Sequence, residues 1–535
     1  MFDLNSFQKE NQRLSIVKDK YYSWLDEHHI TCRPQEVISW VRVLKEDLNY
    51  LYFIDAYVLN SPNGGQFDYE LNLIVANLES HQRLNLHILF NQTEVIPDMT
   101  PYYPASRFSL REQAELFEVN FQVKLEPIFF SQKTHGLFND EVMVEKNPVD
   151  FKEPILPFNP NKSEAPYPQE SWRWKHCDLF SKDTLGKFEA FYCFDPFKLV
   201  DLKLNLGNFF RGVESLLTKK DHTHIPYLLE DLNHMASPFY SGAWAMNLEE
   251  ILKLQITERA QGLRIVVWEL SRIGEHLFVI YEMCSLLKLT HAQVFLDAYE
   301  RLCELMEQLT GHRSGKGIIK IGGLHQDLPS GWIVEFIEFN KLLLKNLSIY
   351  HRDLLGNGTF RTLLKHAKVS SHSVLEGGVS GPSLRAAGIN YDLRKSRPLY
   401  FYPEIDFDVP VGVHGTSYDR YLIRFEEIIQ SSRIITQVLD NLPLGLVDLN
   451  LSELEIREQL KSIGEHTHYS ALESPNGEVG ISYVQGEDAL IKRIKIKSPS
   501  QALTQGLKEF LRGTDENSVP VALSSLGIRE KEMER

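Results

Sequence analysis

The chain has 535 residues, 43% of them hydrophobic and 24% charged, which is more than one domain of about 100 to 200 residues and excludes collagenous, disordered and disulfide-framework classes. Its 72 acidic against 57 basic residues leave a formal charge of −15, which repels a phosphate backbone or an anionic bilayer, so nucleic acid is not an expected partner. The five cysteines, Cys32, Cys177, Cys193, Cys284 and Cys303, are scattered without a Cys-x-x-Cys pair, so no metal or iron–sulfur cluster is expected on this chain and a reducing compartment suits it.

MFDLNSFQKENQRLSIVKDK at the start is charged throughout and lacks the apolar core of a signal peptide. YLYFIDAYVL (50–59), FDYELNLIVANL (67–78) and RLNLHILF (83–90) predict three strands, and SLREQAELFEVNF (109–121) predicts a helix. Together they predict an α+β domain with an antiparallel sheet over residues 1–145. Residues 146–172 hold six of the 24 prolines and no glycine, a composition that reads as an extended linker. A second domain, 173–535, opens with a hairpin over 185–206 around Asp195-Pro196.

From about residue 248 the apolar spacing changes to three and four, which predicts a mainly helical bundle with small flanking β-hairpins. Gly311 stands where one helix should stop. Residues 419–442 predict a helix with Leu422, Phe425, Ile428, Ile429, Ile435 and Leu439 on its buried face. No stretch reaches the roughly 18 apolar residues of a spanning helix. Even LFVIYEMCSLLKL (277–289) is broken by Glu282 and Lys288, so membrane association is expected to be peripheral. ESPNGEVGISYV and IKRIKIKS predict strands near the end.

GNGTF (356–360) lacks the third glycine of a dinucleotide fingerprint, and no phosphate loop is present, so the chain is not expected to hold NADH or ATP. Two His-Thr-His strings pair His222 with His224 and His466 with His468, but ligation needs further donors, and the reading is loop histidines on a polar surface. Glu269, Arg272 and His276 share one helix face, which by itself reads as a solvated stripe with an ion pair. Arg211-Gly-Val-Glu214 is too short to be specific, and Tyr227 after Pro226 reads as a core or rim aromatic.

The strings ERAQGLRIVVWELSRIGEHL (258–277), IKIGGLHQDLP (319–329), LRAAGINYDLRK (384–395), DFDVPVG (406–412) and YDRYLIR (418–424) closely resemble the 49-kDa-type subunit of respiratory complex I, a family related to the large subunit of nickel–iron hydrogenases. VIPDMTPYYPASRFSLREQAELFEVNF (95–121) resembles the 30-kDa-type subunit. The resemblance implies a peripheral-arm subunit, active only in an NADH:quinone oxidoreductase complex on the cytoplasmic side of a bacterial inner membrane. Such a protein carries no cofactor of its own and shapes a quinone cavity against a partner iron–sulfur subunit that holds the terminal [4Fe-4S] cluster. Its other implied partners are the remaining hydrophilic subunits and the membrane arm.

The resemblance places Tyr227 at the quinone headgroup and Arg211 and His276 beside the cluster. The cysteine pairs of nickel–iron catalysis are absent, which argues against hydrogenase activity. The family's headgroup histidine falls on Leu185, and its acidic partner falls near Ser285 or Leu286, with His176 or Glu282 as positional substitutes. A cysteine-free subunit of a hydrogenase-related ion-translocating complex and a scaffold with a degenerate quinone site are the alternative expectations.

Overall fold

The structure, a computed structural model, describes residues 21–24, 27–60, 67–123, 128, 173–178, 189–207 and 210–535. The proline-rich segment 146–172 and Leu185 lie outside the described residues. Contacts group the chain into two compact units, residues 1–157 with 375–378, and residues 158–374 with 379–535.

The first unit is built on a five-stranded sheet in the order β1-β2-β5-β4-β3. The three expected strands form as β3 (Tyr52–Asn60), β4 (Tyr69–Asn77) and β5 (Gln82–Phe90), paired antiparallel. The sequence pattern does not reveal β1 (Tyr21–Trp24) and β2 (Glu27–Cys32), and β2 runs parallel to β5. EHHITC has too few apolar residues to stand out as a strand, yet Ile30 and Cys32 are buried.

Period-two alternation puts Leu71, Leu73, Val75, Leu84, Leu86 and Ile88 on one buried face. The opposite face is polar and also buried. There His29 Nδ1 meets His87 Nε2 at 2.9 Å, and His87 Nδ1 meets Glu70 at 2.6 Å. Helix α1 (Val37–Arg42) follows β2, and α2 (Ser106–Phe117) follows the strands. The latter starts just after Pro104 and stops where Glu118 turns left-handed (φ 56°), four residues short of the expected end at 121. Its Ser109 donates to Asp55 of β3 at 2.8 Å.

The second unit opens with a meander, β6 (Arg173–Asp178), β7 (Glu189–Asp195) and β8 (Lys198–Asn205), whose last two strands are the expected hairpin. Short helices α3 (Val213–Leu217) and α4 (Ile225–Leu229) lead into α5 (Ser237–Ile251), α6 (Glu258–Leu286) and α7 (His291–Thr310). Thr257 caps α6 through a bond from Ala260 N, and Gly311 ends α7 in the left-handed region (φ 77°), as the sequence predicts.

Helix α8 (Trp332–Gly356) is followed by four short helices between residues 358 and 396 and by α9 (Ser417–Asp440), which opens on a Thr416/Asp419 capping box and packs along α6. The buried face of α9 differs from the expected one. Leu422, Ile429 and Leu439 are only half-buried, while Ile423, Ile434, Val438, Arg420, Arg424 and Glu427 are inside. Counting apolar residues locates the wrong edge of this face because its centre is charged.

Helix α10 (Glu453–Ile463), the antiparallel sheet β11 (His466–Ser474), β12 (Gly477–Gln485) and β13 (Ile491–Lys497), and helices α11 (Pro499–Leu511) and α12 (Val519–Leu526) complete the unit. Among the described residues no helix is long and apolar enough to cross a membrane.

Between α7 and α8 lies a two-residue ladder, β9 (Ile319–Lys320) with β10 (Gly323–Leu324). It is gripped by the 447–449 segment, where Leu324 N donates to Val447 O at 2.9 Å and Leu449 N to Gly322 O at 3.0 Å. A Cβ on Gly323, whose φ is 148°, would lie 2.1 Å from Val447 O. Gly323→Ala is therefore expected to lower stability by about 3 kcal/mol or more through strain and displacement of backbone. Thermal unfolding of the variant against wild type measures it.

Candidate functional site

The strings that resemble the 49-kDa-type subunit lie in the second unit, and several of their charged side chains meet in its interior. On α6, Glu269, Arg272 and His276 are fully buried, which corrects the reading of a solvated stripe. Glu269 accepts from Arg272 Nε at 3.1 Å, from Tyr402 OH at 2.7 Å and from Ser431 Oγ at 2.5 Å. Glu427 of α9 accepts from Arg385 at 2.7 Å on one oxygen and from His276 Nε2 at 2.7 Å on the other. Arg385 also reaches Glu473 of β11 at 2.7 Å, and Arg394 pairs with Asp392 at 2.7 Å and Glu269 at 3.2 Å.

Four guanidiniums (Arg272, Arg385, Arg394, Arg424) thus sit among four carboxyls (Glu269, Asp392, Glu427, Glu473), all shielded from water. Each charge finds an opposite partner or a directed hydrogen bond, the condition for burying it. Burial alone would raise the Glu427 carboxyl, but Arg385 and His276 hold it well below the usual range.

His276 has a single tautomer here. A guanidinium can only donate, so Arg424 Nη1 at 3.0 Å makes Nδ1 the acceptor, and the ring proton sits on Nε2 and is donated to Glu427. Burial pushes the imidazole down to about 4 against the pull of Glu427, so the ring is neutral at pH 7. Arg424 also donates to the last carbonyls of α12, Ser525 O at 3.3 Å and Leu526 O at 3.1 Å, which ties α6, α9 and α12 together.

IKIGGLHQDLP forms the β9–β10 ladder and the turn after it. Arg264 of α6 pairs with both oxygens of Glu249 on α5, at 2.7 and 2.8 Å, and donates to Lys320 O and Gly323 O of the ladder. Glu249 accepts from Gly322 N at 2.8 Å. Arg259 clamps Asp327 at 2.8 to 3.0 Å. The ladder projects His325 to the surface, where its Nε2 lies 3.2 Å from the hydroxyl of Tyr227 on α4.

The three site residues expected from the resemblance have different environments. Tyr227 is 47% exposed, so it is not a core aromatic. Arg211 is exposed just before α3, and His276 is enclosed. No hydrogen bond joins any two of them among the described residues. Of the positional substitutes, Glu282 on α6 lies 3.6 Å from Arg529, and burial raises it to about 7. His176 is on β6, and Ser285 and Leu286 are exposed at the end of α6.

The His-Thr-His strings need correction. His222 is buried and bonded to Glu453 at 3.0 Å and Tyr483 at 3.1 Å, and His468 is buried on β11 at 2.5 Å from Glu250. Only His224 is clearly exposed, beside Asp221. Strand alternation turns His468 inward toward α5, which a loop reading does not consider. Among the described residues no group of three or more His, Cys, Asp or Glu is placed to hold a metal ion. The thiols of Cys193 and Cys284 are raised by burial to about 11 and about 12, an unfavourable state for ligation.

Residues 287–535 match the family profile described as the 49 kDa subunit of respiratory-chain NADH dehydrogenase, and residues 30–137 match that of the 30 kDa subunit. The C/D subunit of NADH-quinone oxidoreductase from Bdellovibrio bacteriovorus is 26% identical over 559 residues, 98% of each chain. The D-type subunit from Desulforamulus reducens is 31% identical over 348 residues, 64% of this chain and 93% of the relative. The chain belongs to the C/D subunit family of complex I. A 49 kDa subunit of NADH-ubiquinone oxidoreductase from Reclinomonas americana is 30% identical over 58% of this chain and 83% of its own length. Arg211, Tyr227 and His276 all precede the residues matched by the 49 kDa profile.

Two outcomes are expected of the interior. Glu427→Gln keeps the shape but leaves Arg385 short of charge, at a cost of about 3–5 kcal/mol in denaturant unfolding. The second concerns Glu532, fully buried between Asn233 (2.5 Å) and Ser500, and raised by burial to about 7. A raised folded-state value means its contribution is complete below the unfolded value near 4.5 and is lost as pH rises through about 7. Glu532→Gln removes that loss, so its stability relative to wild type should rise by about 2–3 kcal/mol between pH 5 and pH 8. Unfolding curves of both proteins at the two pH values give the difference.

Proposed function

We propose that this chain is a peripheral-arm subunit that forms the quinone-reduction cavity of an NADH:quinone oxidoreductase, active only within the complex. In this reading residues 1–145 are the 30-kDa-like domain, 146–172 the linker and 173–535 the 49-kDa-like domain. The cavity closes against a partner subunit holding the terminal [4Fe-4S] cluster, and the assembly sits on the cytoplasmic side of the bacterial inner membrane, coupled to ion translocation through membrane-arm subunits.

The observation that carries this reading is the exposed hydroxyl of Tyr227 in a unit whose other family-motif side chains are largely turned inward. Two electrons from the partner's cluster and two protons convert a quinone to a quinol. A phenol at the cavity wall donates a hydrogen bond to a quinone carbonyl oxygen and stabilises the charge that develops there. Arg211 would add positive charge near the cluster. His276 would act as a fixed dipole, with its proton held toward Glu427 and its other nitrogen facing Arg424.

Tyr227→Phe keeps the ring and removes the hydroxyl. In membranes carrying the assembled complex it is expected to lower NADH:quinone activity about 10-fold or more, with NADH oxidation by an artificial acceptor unchanged. His276→Leu is expected to shift the midpoint of the terminal cluster in a redox titration. Wild-type quinone reduction by the Tyr227→Phe complex would instead favour the scaffold reading, to which the leucine at position 185 already lends weight.

A further inference from the structure

Helix α8 buries one stripe and leaves the rest of its circumference in water. Trp332, Phe336, Phe339, Leu343, Leu347 and Leu354 pack inward at spacings of three, four and seven. The start of the helix is fixed to α7, because Trp332 Nε1 donates to Leu305 O at 2.9 Å and Gln308 donates to Glu335 at 2.8 Å. A helix packed on one stripe is expected to be polar elsewhere. Here Val334 and Ile337 are 61% and 55% exposed, and Ile333, Leu342 and Ile349 are exposed with them. Five large apolar side chains in water on one element form a patch, unlike the single exposed residues of an ordinary surface.

The outer surface is also divided along its length. At 3.6 residues per turn Val334, Ile337, Lys341, Lys345 and Arg352 fall within a sector of about 80°, with Ile333 at its edge. The first turns of that sector are apolar and the later turns cationic. All three cations are exposed. Among the described residues neither lysine has an ion-pair partner, and Arg352 has only its exposed neighbour Asp353, at 4.0 Å. Such a row stands out on a chain of charge −15. The carboxylates of the outer surface, Glu335, Glu338 and Asp353, lie to one side of the sector.

This layout selects the kind of partner. A bilayer would meet the whole outer surface, where three carboxylates cancel three cations, and an anionic one would also be repelled by the chain as a whole. An extended peptide needs a free strand edge, which a helix lacks. A second helix meets only the narrow sector, packing its own ridge along about 37 Å of α8.

We propose that this sector of α8 is an interface for a helix of a neighbouring subunit, apolar where it meets Ile333, Val334 and Ile337 and acidic where it meets Lys341, Lys345 and Arg352. The proposal is independent of the quinone-site reading and needs only that the chain works as a subunit.

The experiment uses the assembled complex and the full chain on its own. In the complex, a zero-length carbodiimide is expected to join Lys341 or Lys345 to an Asp or Glu of another subunit, in a stretch with apolar residues at three and four. Ile337→Cys reports on the apolar end. Its reaction with a maleimide, followed on that peptide by mass spectrometry, is expected to be about fivefold or more slower in the complex than in the free chain. Lys341→Glu/Lys345→Glu is expected to unfold like wild type, because exposed substitutions change stability little. Its recovery in the complex is expected to fall about fivefold or more, while Lys341→Arg/Lys345→Arg keeps the wild-type recovery.

Equal maleimide rates in the two states, with no cross-link from either lysine to another subunit, overturn the proposal. Protection already complete in the dilute free chain overturns it in favour of a segment of the chain itself. Protection that grows with concentration, with cross-links between two copies, overturns it in favour of self-association. Protection of the free chain by phosphatidylglycerol/phosphatidylcholine vesicles, with none in the detergent-solubilised complex, overturns it in favour of a bilayer.

Discussion

Burying charge sets the terms for the second unit. Removing a guanidinium or carboxylate from water costs several kcal/mol even after relaxation, and only a partner at hydrogen-bond distance offsets it. Here Arg272, Arg385, Arg394 and Arg424 face Glu269, Asp392, Glu427 and Glu473 with no bulk water to screen them. Arg272–Glu269 and Arg394–Asp392 pair locally, but the remaining partners come from α6, α9, β11 and the 385–394 segment, so the full network is satisfied only when these elements have docked. The hydrophobic packing around them, such as Ile428, Ile435 and Trp268, fills a shape that the ion network has already fixed.

How far the sequence could be read follows from this. Strands β3, β4 and β5 and the long helices were legible because alternation at two, or at three and four, survives wherever one face is apolar. The terminus of α7 was legible because Gly311 is the residue that a left-handed cap favours. The face of α9 and the position of Glu269, Arg272 and His276 were not. A charge reads as solvent-facing until its partner is known, and the partner of His276 lies 151 residues away on another helix. Strand β2 was missed for a related reason, since its histidines belong to a polar interior that no periodicity announces.

The candidate site was legible only in part. The resemblance selected Tyr227, Arg211 and His276, but it gave no sign that the first two face outward while the third is sealed inside. The contact of His325 with Tyr227 was not visible in the string IKIGGLHQDLP, because it spans 98 residues. The available signal was the glycine pattern before it. Gly322 and Gly323 mark a place where two backbones touch, and a tight ladder of that kind aims whatever side chain follows it.

The span of the network along the chain also bears on how the protein reaches its native state. Arg272 bonds to the carbonyl of Glu473, 201 residues on, and Arg424 reaches Leu526 across 102. Closing such loops loses chain entropy before any contact compensates, and a half-assembled cluster leaves bare charges in a drying interior. Contact separations of this size make closure of the network an entropically costly step compared with forming the individual helices. Until the network closes, the apolar flanks of α6 and α9 stay uncovered, which is the state in which chains of this size are most open to association with their own copies.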